Sequence, residues 1–108
     1  MKGKIVLIPF PYTDLTGSKP RPALVLAEAP EDVVVAFISS RVSHLTDSCL
    51  LIDESYPDYE ATGLKTASVL RLDKVATIAR SLLIGEIGEV TGSIKADVNK
   101  KLAKIFRL

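Results

Sequence analysis

The sequence predicts a mainly β protein, with a small, strongly bent antiparallel sheet or barrel and one C-terminal helix. Short apolar runs separated by turn residues recur from residue 4 to residue 87, as expected for successive strands. After Gly92 the apolar period changes to that of a helix, with Ile94, Val98, Leu102 and Ile105 on one face. A length of 108 residues suits one domain, so residues 1–108 are expected to form a single unit.

The individual strands are predicted from apolar runs and the turns between them. Residues 4–10 form a continuous apolar run with prolines at its end, which predicts the first strand. The second and third strands, from Pro22 to Ala27 and from Val33 to Ser39, are joined by a polar turn and form a hairpin. Residues 12–19 between the first two strands are rich in turn formers and predict a loop. Further strands are predicted at 49–52, 67–70 and 74–79, with another short apolar piece at 82–87.

The predicted helix carries signals at both of its ends. Ser93 is a plausible N-cap, and Asp97 lies near the positive end of the helix dipole. Lysines are concentrated toward the opposite end, where they complement the negative pole.

Composition excludes some classes of protein. A hydrophobic content of 47% and a charged content of 25% are ordinary for a soluble domain, and no apolar run approaches the roughly 18 residues of a membrane helix. The N-terminus does not resemble a secretory signal, so a cytoplasmic location is expected. The net charge of +1 is not that of a strongly basic nucleic-acid binder, but Lys19, Arg21 and Arg41 could form a local cationic cluster.

Neither the cysteine nor the histidine indicates a site on its own. Cys49 lies in an apolar run and is expected to be a buried strand thiol. His44 lies in a polar loop, where solvent exposure is the commoner outcome, although its pKa range would suit proton transfer. No spacing of metal ligands, glycine-rich phosphate loop or serine-hydrolase elbow is present, so neither a metal nor a cofactor is expected.

The most unusual stretch is KPRPALVL at residues 19–26, where a cation stands between two prolines at the start of a strand. Each proline fixes its own φ and biases the preceding residue toward extended backbone, so Arg21 is held on stiff chain. The plain alternative is that Pro20 and Pro22 end a loop and that Arg21 is one more solvated charge.

Several motifs occur in an order that resembles the PemK/MazF family of toxins from prokaryotic toxin–antitoxin modules. They are GKIVLIPF at 3–10, RPALVL at 21–26, AFISS at 36–40, TGLKTASVL at 62–70, ATI at 76–78 and LIGEIG at 83–88. The resemblance implies an SH3-like barrel of the CcdB/PemK type that forms a homodimer and is neutralised by a cognate antitoxin. It also implies a sequence-specific, metal-independent endoribonuclease that cleaves single-stranded RNA, with mRNA as the substrate.

The resemblance also implies which residues act. The ribose 2′-hydroxyl would attack the adjacent phosphate and leave a 2′,3′-cyclic phosphate, with Arg21 stabilising the added charge. Arg21 is a poor base because its pKa lies above about 12, so the general base is left open. Ser39 stands where the family usually has Thr, which keeps the hydroxyl but loses the stiff χ1. The expected substrate contacts are Lys19, Ser40, Arg41, Lys65 and Ser68, and a hydrogen bond to neighbouring backbone is an equal alternative for Ser68.

Two positions depart from the family pattern. Some members carry an acidic residue in the loop before the arginine, where this chain has Thr16, and the residue after Gly3 is Lys4 rather than an acid. Two other functions therefore stay open at this point. One is a non-catalytic barrel that acts by binding a protein, as the gyrase poison CcdB does, and the other is a nucleic-acid-binding barrel without toxicity.

Overall fold

The computed structural model describes residues 1–10, 19–43 and 45–108. They form a curled six-stranded antiparallel sheet in the order β4-β5-β3-β2-β1-β6, with one C-terminal helix, which confirms the predicted fold class. The strands and helix are β1 (Lys4–Phe10), β2 (Lys19–Glu28), β3 (Asp32–Ser39), β4 (Cys49–Ile52), β5 (Ser68–Ala79), β6 (Gly85–Glu89) and α1 (Gly92–Ile105). Two 3₁₀ turns, Glu60–Thr62 and Arg80–Leu82, precede and follow β5.

The proline-flanked arginine lies inside β2, which begins three residues earlier than the predicted Pro22. Lys19, Pro20 and Arg21 pair with Phe10, Pro9 and Ile8 of β1. On the other side, pairing with β3 begins only at Ala23. The first residues of β2 therefore behave as a sheet edge, where the missing N–H groups of two prolines are tolerated.

Residues 68–79 form one strand, so the prediction of two strands, at 67–70 and 74–79, was wrong. Phe37 pairs with Arg71 and Ala36 pairs with Val75, which leaves residues 72–74 of β5 without counterparts in β3. The polar pair Asp73-Lys74, which suggested a break, lies in this bulge. A bulge bends a strand without ending it. Composition alone does not distinguish a bulge within one strand from a turn between two strands.

The sheet buries apolar residues on both faces. The larger core lies between α1 and one face of the sheet, around Ile5, Leu24, Ile52, Leu70 and Ile94. A smaller core lies on the other face and consists of Val6, Ile8, Ala23, Val25, Val33 and Val35. Ile78 of β5 and Leu83, which follows the Arg80–Leu82 turn, pack against this smaller core.

The start of α1 differs from the prediction. Thr91 occupies the N-cap position, and the N–H of Ser93 donates to Asp58 Oδ2 at 2.9 Å, so the prediction of Ser93 as the N-cap was wrong. The carboxylate of Asp58 thus replaces a local cap and complements the positive pole of the helix. The predicted apolar face of the helix is confirmed, since Ile94 and Val98 are buried.

The acidic segment at residues 53–60 packs on the body of the protein. Tyr56 Oη donates a 2.6 Å hydrogen bond to Asp97 Oδ2 of α1, and both Tyr56 and Tyr59 contact the larger core. Burial, together with this hydrogen bond, raises the pKa of Tyr56 to about 12. The segment therefore anchors the helix.

The apolar piece predicted at 82–87 is divided between the Arg80–Leu82 turn and β6. The predicted loop residues 12–18, which include Thr16, and His44 lie outside the described residues. Within the described ranges, no helix combines the length and the apolar character needed to cross a bilayer.

Candidate active site

Two adjoining open cavities lie at the end of the sheet where β2 begins and β3 ends. The first has a volume of about 410 Å³ and the second about 330 Å³. Arg21, Pro22, Ile38 and Ser40 line both, so the two form one continuous depression, here named the Arg21 groove.

Strand register brings Arg21 and Ser39 to the same place. Ala23 of β2 pairs with Phe37 of β3, and Arg21 and Ser39 each lie two residues further toward the same end of this antiparallel pair. Because side chains alternate between faces, both residues share the face of the Ala23–Phe37 pair. The first cavity is lined by both, with Arg21 exposed and Ser39 half-buried.

The two candidate serines differ in how their hydroxyls are used. Ser39 Oγ accepts a 3.1 Å hydrogen bond from the Arg41 N–H, which leaves its own proton able to donate to a ligand oxygen. Ser68 is buried, and its Oγ donates to the Thr66 carbonyl at 2.9 Å. Ser68 lines the second cavity, but its hydroxyl proton is already donated to a backbone carbonyl. This is the hydrogen bond to neighbouring backbone that was the alternative to an RNA contact for this residue.

Most of the other predicted contacts also lie in the groove. Arg41 lines the first cavity, Lys65 lines the second, and Ser40 lines both. Lys19 is exposed at the start of β2 and lines neither cavity. Six of the seven predicted site residues therefore meet in one place.

Two cations in the groove were missed by the sequence reasoning: Arg71 and Lys74 of β5 line the first cavity. Arg71 donates to both carboxylate oxygens of Asp73, from Nε at 3.0 Å and from Nη2 at 2.9 Å. This bidentate pair lowers the pKa of Asp73, and the same hydrogen bond raises the pKa of Arg71. The only sequence signal was the polar pair Asp73-Lys74, which had been interpreted as the start of a separate strand.

The groove is cationic although the net charge of the protein is only +1 and Asp73 offsets the charge of Arg71. Its lining includes Arg21, Arg41, Lys65, Arg71 and Lys74, and within the described ranges none of the lining residues is acidic. A concave surface lined by positive charges attracts polyanions and orients phosphates.

Cys49, on the strand next to Arg71, is buried as predicted. The part of the chain that the structure describes contains no cluster of three potential metal ligands.

Comparison with solved structures identifies the same architecture in other proteins. The Mycobacterium tuberculosis toxin MazF-mt6 is 24% identical, with a TM-score of 0.74 and 97% of each chain covered. An endoribonuclease in complex with its cognate antitoxin, from a mycobacterial species, is 20% identical with a TM-score of 0.71, covering 100% of this chain and 95% of the other. An endoribonuclease from a mycobacterial species is 20% identical with a TM-score of 0.68, covering 96% of this chain and 88% of the other. At these identities the likeness shows a shared fold.

Sequence comparison extends the argument from fold to family. A search of curated proteins found no match. A family model described as the PemK-like, MazF-like toxin of type II toxin-antitoxin systems matches residues 1–106, which is nearly the whole chain. The resemblance drawn from the motifs is thereby confirmed, and the chain belongs to the PemK-like, MazF-like toxins of type II toxin–antitoxin systems.

Proposed function

We propose that this toxin is a metal-independent endoribonuclease that cleaves single-stranded RNA, with mRNA as its cellular substrate in the cytoplasm. The observation that carries the proposal is the Arg21 groove, in which an arginine on rigid backbone and a hydroxyl able to donate line one cationic cavity. Family membership and the structural likeness to endoribonucleases support it. The gyrase-poison-like and non-toxic binding alternatives are not favoured, because the matching family is that of PemK-like and MazF-like toxins.

The chemistry suits the residues of the groove. The ribose 2′-oxygen attacks the neighbouring phosphorus and the 5′-oxygen leaves, so the products are a 2′,3′-cyclic phosphate and a 5′-hydroxyl. Negative charge increases on the non-bridging oxygens as the new bond forms. The planar fork of Arg21 can donate to two of those oxygens at once, and the Ser39 hydroxyl can donate to one.

The rest of the groove provides binding. Arg71, fixed by Asp73, and Lys74 lie on β5, and Lys65 lines the second cavity, so cations are available along the path of a bound strand. The second cavity also contains Leu64, Ile87 and the turn at Gly63. A pocket of about 330 Å³ with both apolar and polar lining residues suits one nucleobase, and we infer that it supplies the sequence preference.

The test compares two cations of the same motif. Arg21→Ala should lower the cleavage rate about 10²–10³-fold, the usual loss for one charge-stabilising group. Lys19→Ala is the matched control, since Lys19 is also exposed in β2 but lines neither cavity, and it should change the rate little. Ser39→Ala should cost less than Arg21→Ala because a neutral hydroxyl makes a weaker bond, and Cys49→Ala should retain activity. If Arg21→Ala and Lys19→Ala lowered the cleavage rate equally, in variants whose circular dichroism matches the wild type, Arg21 would not be the charge-stabilising residue.

We also propose a cognate antitoxin whose acidic amphipathic segment lies in the Arg21 groove. A cationic groove with apolar walls attracts such a segment for the same reasons that it attracts RNA, and inhibition is then competitive. Arg21→Glu should weaken antitoxin binding at least about tenfold by calorimetry, because an attractive charge pair becomes repulsive. Unchanged affinity for Arg21→Glu would exclude the shared groove.

A further inference from the structure

We propose that Phe37 binds one nucleobase of the RNA by stacking, beside the phosphate that Arg21 contacts. The inference rests on the proposed nuclease function and deepens it by assigning a base-binding position in the first cavity. Within the described ranges, Phe37 is the only aromatic residue that lines the Arg21 groove. Unstacked bases of single-stranded RNA commonly bind proteins by stacking on aromatic side chains.

Strand register places Phe37 next to the residues proposed to act on the phosphate. Phe37 of β3 pairs with Arg71 of β5 on one side and with Ala23 of β2 on the other. Directly paired side chains share a face of the sheet, with Cβ atoms about 4.5–5.5 Å apart. Ser39, two residues further along β3, lies on that face at a distance of about 7 Å. A nucleotide whose base lies on Phe37 can therefore place its phosphate beside Ser39.

Packing fixes the ring of Phe37 before RNA binds. Phe37 is half-buried and packs against the smaller core of the sheet. The same side chain lines the first cavity, so it contacts the core and borders the groove at once. A side chain already held by the core loses little conformational entropy when it binds a ligand. Phe37 therefore offers a preorganised surface to a planar base.

Cations border this surface. Arg71 is the direct neighbour of Phe37 across the strands, and Asp73 holds its guanidinium through two hydrogen bonds of 3.0 and 2.9 Å. Arg21 lies diagonally across on β2, about 7–8 Å from Phe37, a distance that its long side chain can span. Guanidinium groups stack on bases and neutralise phosphates, so they assist an aromatic ring in binding a nucleic-acid strand.

The two cavities of the groove then receive two neighbouring bases. Arg21 lines both cavities, so a phosphate bound by Arg21 lies where the cavities adjoin. The second cavity contains Lys65 and Thr66, whose polar groups can hydrogen-bond to the edge of one base. Phe37 presents only an aromatic ring, on which any of the four bases can stack. The second cavity therefore selects the identity of its base, whereas Phe37 binds the adjacent base with little selectivity.

The first experiment measures, by fluorescence anisotropy, the binding of an RNA strand made uncleavable by 2′-deoxyribose at the cleaved nucleotide. Phe37→Leu removes the ring but keeps an apolar side chain against the smaller core, and it should raise the dissociation constant at least about fivefold, the loss of one stacked base. Phe37→Tyr keeps a ring and should bind like the wild type. Leu83→Ala is the matched control, because Leu83 packs against the same core and lines neither cavity. Unchanged binding by Phe37→Leu, or an equal loss from Leu83→Ala, would overturn the proposal.

A series of strands that each lack one base identifies the stacked nucleotide. At one position next to the bound phosphate, removal of the base should weaken binding to the wild type at least about fivefold and binding to Phe37→Leu much less, because that variant has already lost the stack. Removal of any other base should affect the two proteins equally. If every position affected the two proteins equally, Phe37 would not stack on a base.

A second variant keeps the test valid if Phe37→Leu fails to fold. The chain has no tryptophan, so Phe37→Trp introduces a single fluorescent reporter at the proposed stack. Its emission should be quenched by the intact strand and not by the strand that lacks the stacked base, and equal responses to both strands would contradict the proposal. These measurements read binding and not cleavage, so this inference and the proposed nuclease activity can fail separately.

Discussion

At the scale of single residues, backbone stiffness explains why Arg21 can serve as a fixed charge. Pro20 and Pro22 restrict the backbone on either side, and pairing with Ile8 of β1 holds the segment in place. Little conformational freedom of the main chain remains to be lost when the guanidinium binds an anion. The sequence alone could predict that Arg21 is held on stiff backbone, because the restriction imposed by the two prolines is local.

Arg71 shows the opposite case, since its role depends on tertiary register. It pairs with Phe37 on one side and with Cys49 on the other, and neither neighbour is close in sequence. Hydrogen bonds to Asp73 hold its fork in position beside the Arg21 groove. A cation can be recognised from sequence, but the cavity that it faces cannot.

We expect Arg71→Ala to remove one phosphate contact. The plot of log binding constant against log salt concentration should then become shallower by about 0.7, the value for one contact on a single strand. Fluorescence anisotropy with an uncleavable 2′-deoxy oligonucleotide at several salt concentrations measures the slope. Lys104→Ala, an exposed cation on α1, is the control, and an unchanged slope for Arg71→Ala would show that Arg71 does not contact the strand.

At the scale of elements, the sequence predicted the type of each element better than its ends. β1 and β4 have the predicted bounds, because uninterrupted apolar runs mark them. β5 was divided in two because its bulge carries Asp73 and Lys74, which resemble turn residues. The cap of α1 was missed because Asp58 lies 35 residues before Ser93, and local capping rules do not reach that far.

The contact between β6 and the Glu60–Thr62 turn depends on a glycine. A Cβ at Gly88 would overlap the backbone carbonyl of Thr62, whereas a Cβ at Gly85 would meet no atom. Gly88→Ala should therefore lower the free energy of unfolding by about 1–3 kcal/mol, the usual cost of overpacking. Gly85→Ala on the same strand should change it by less than about 0.5 kcal/mol. Urea denaturation compares the two, and equal midpoints would contradict the close approach.

At the scale of the whole molecule, charge is separated by position. The carboxylates of Glu86 and Glu89 bond to Lys4, and that of Glu28 bonds to the N-terminal amine. None of these acids lines the Arg21 groove, so a protein with a net charge of +1 presents one cationic cavity. Composition alone therefore gave no indication of a polyanion site, and the ordered motifs were the better guide.

We propose that the RNA supplies its own nucleophile and that the Arg21 groove stabilises the negative charge that develops on the phosphate. The most direct measurement is mass spectrometry of the products from two single-stranded substrates, one all-RNA and one with 2′-deoxyribose at the cleaved nucleotide, each with and without EDTA. We expect 2′,3′-cyclic phosphate ends from the all-RNA strand, undiminished in EDTA, and no cleavage of the deoxy-substituted strand. Cleavage of the deoxy-substituted strand, or loss of activity in EDTA, would contradict this mechanism.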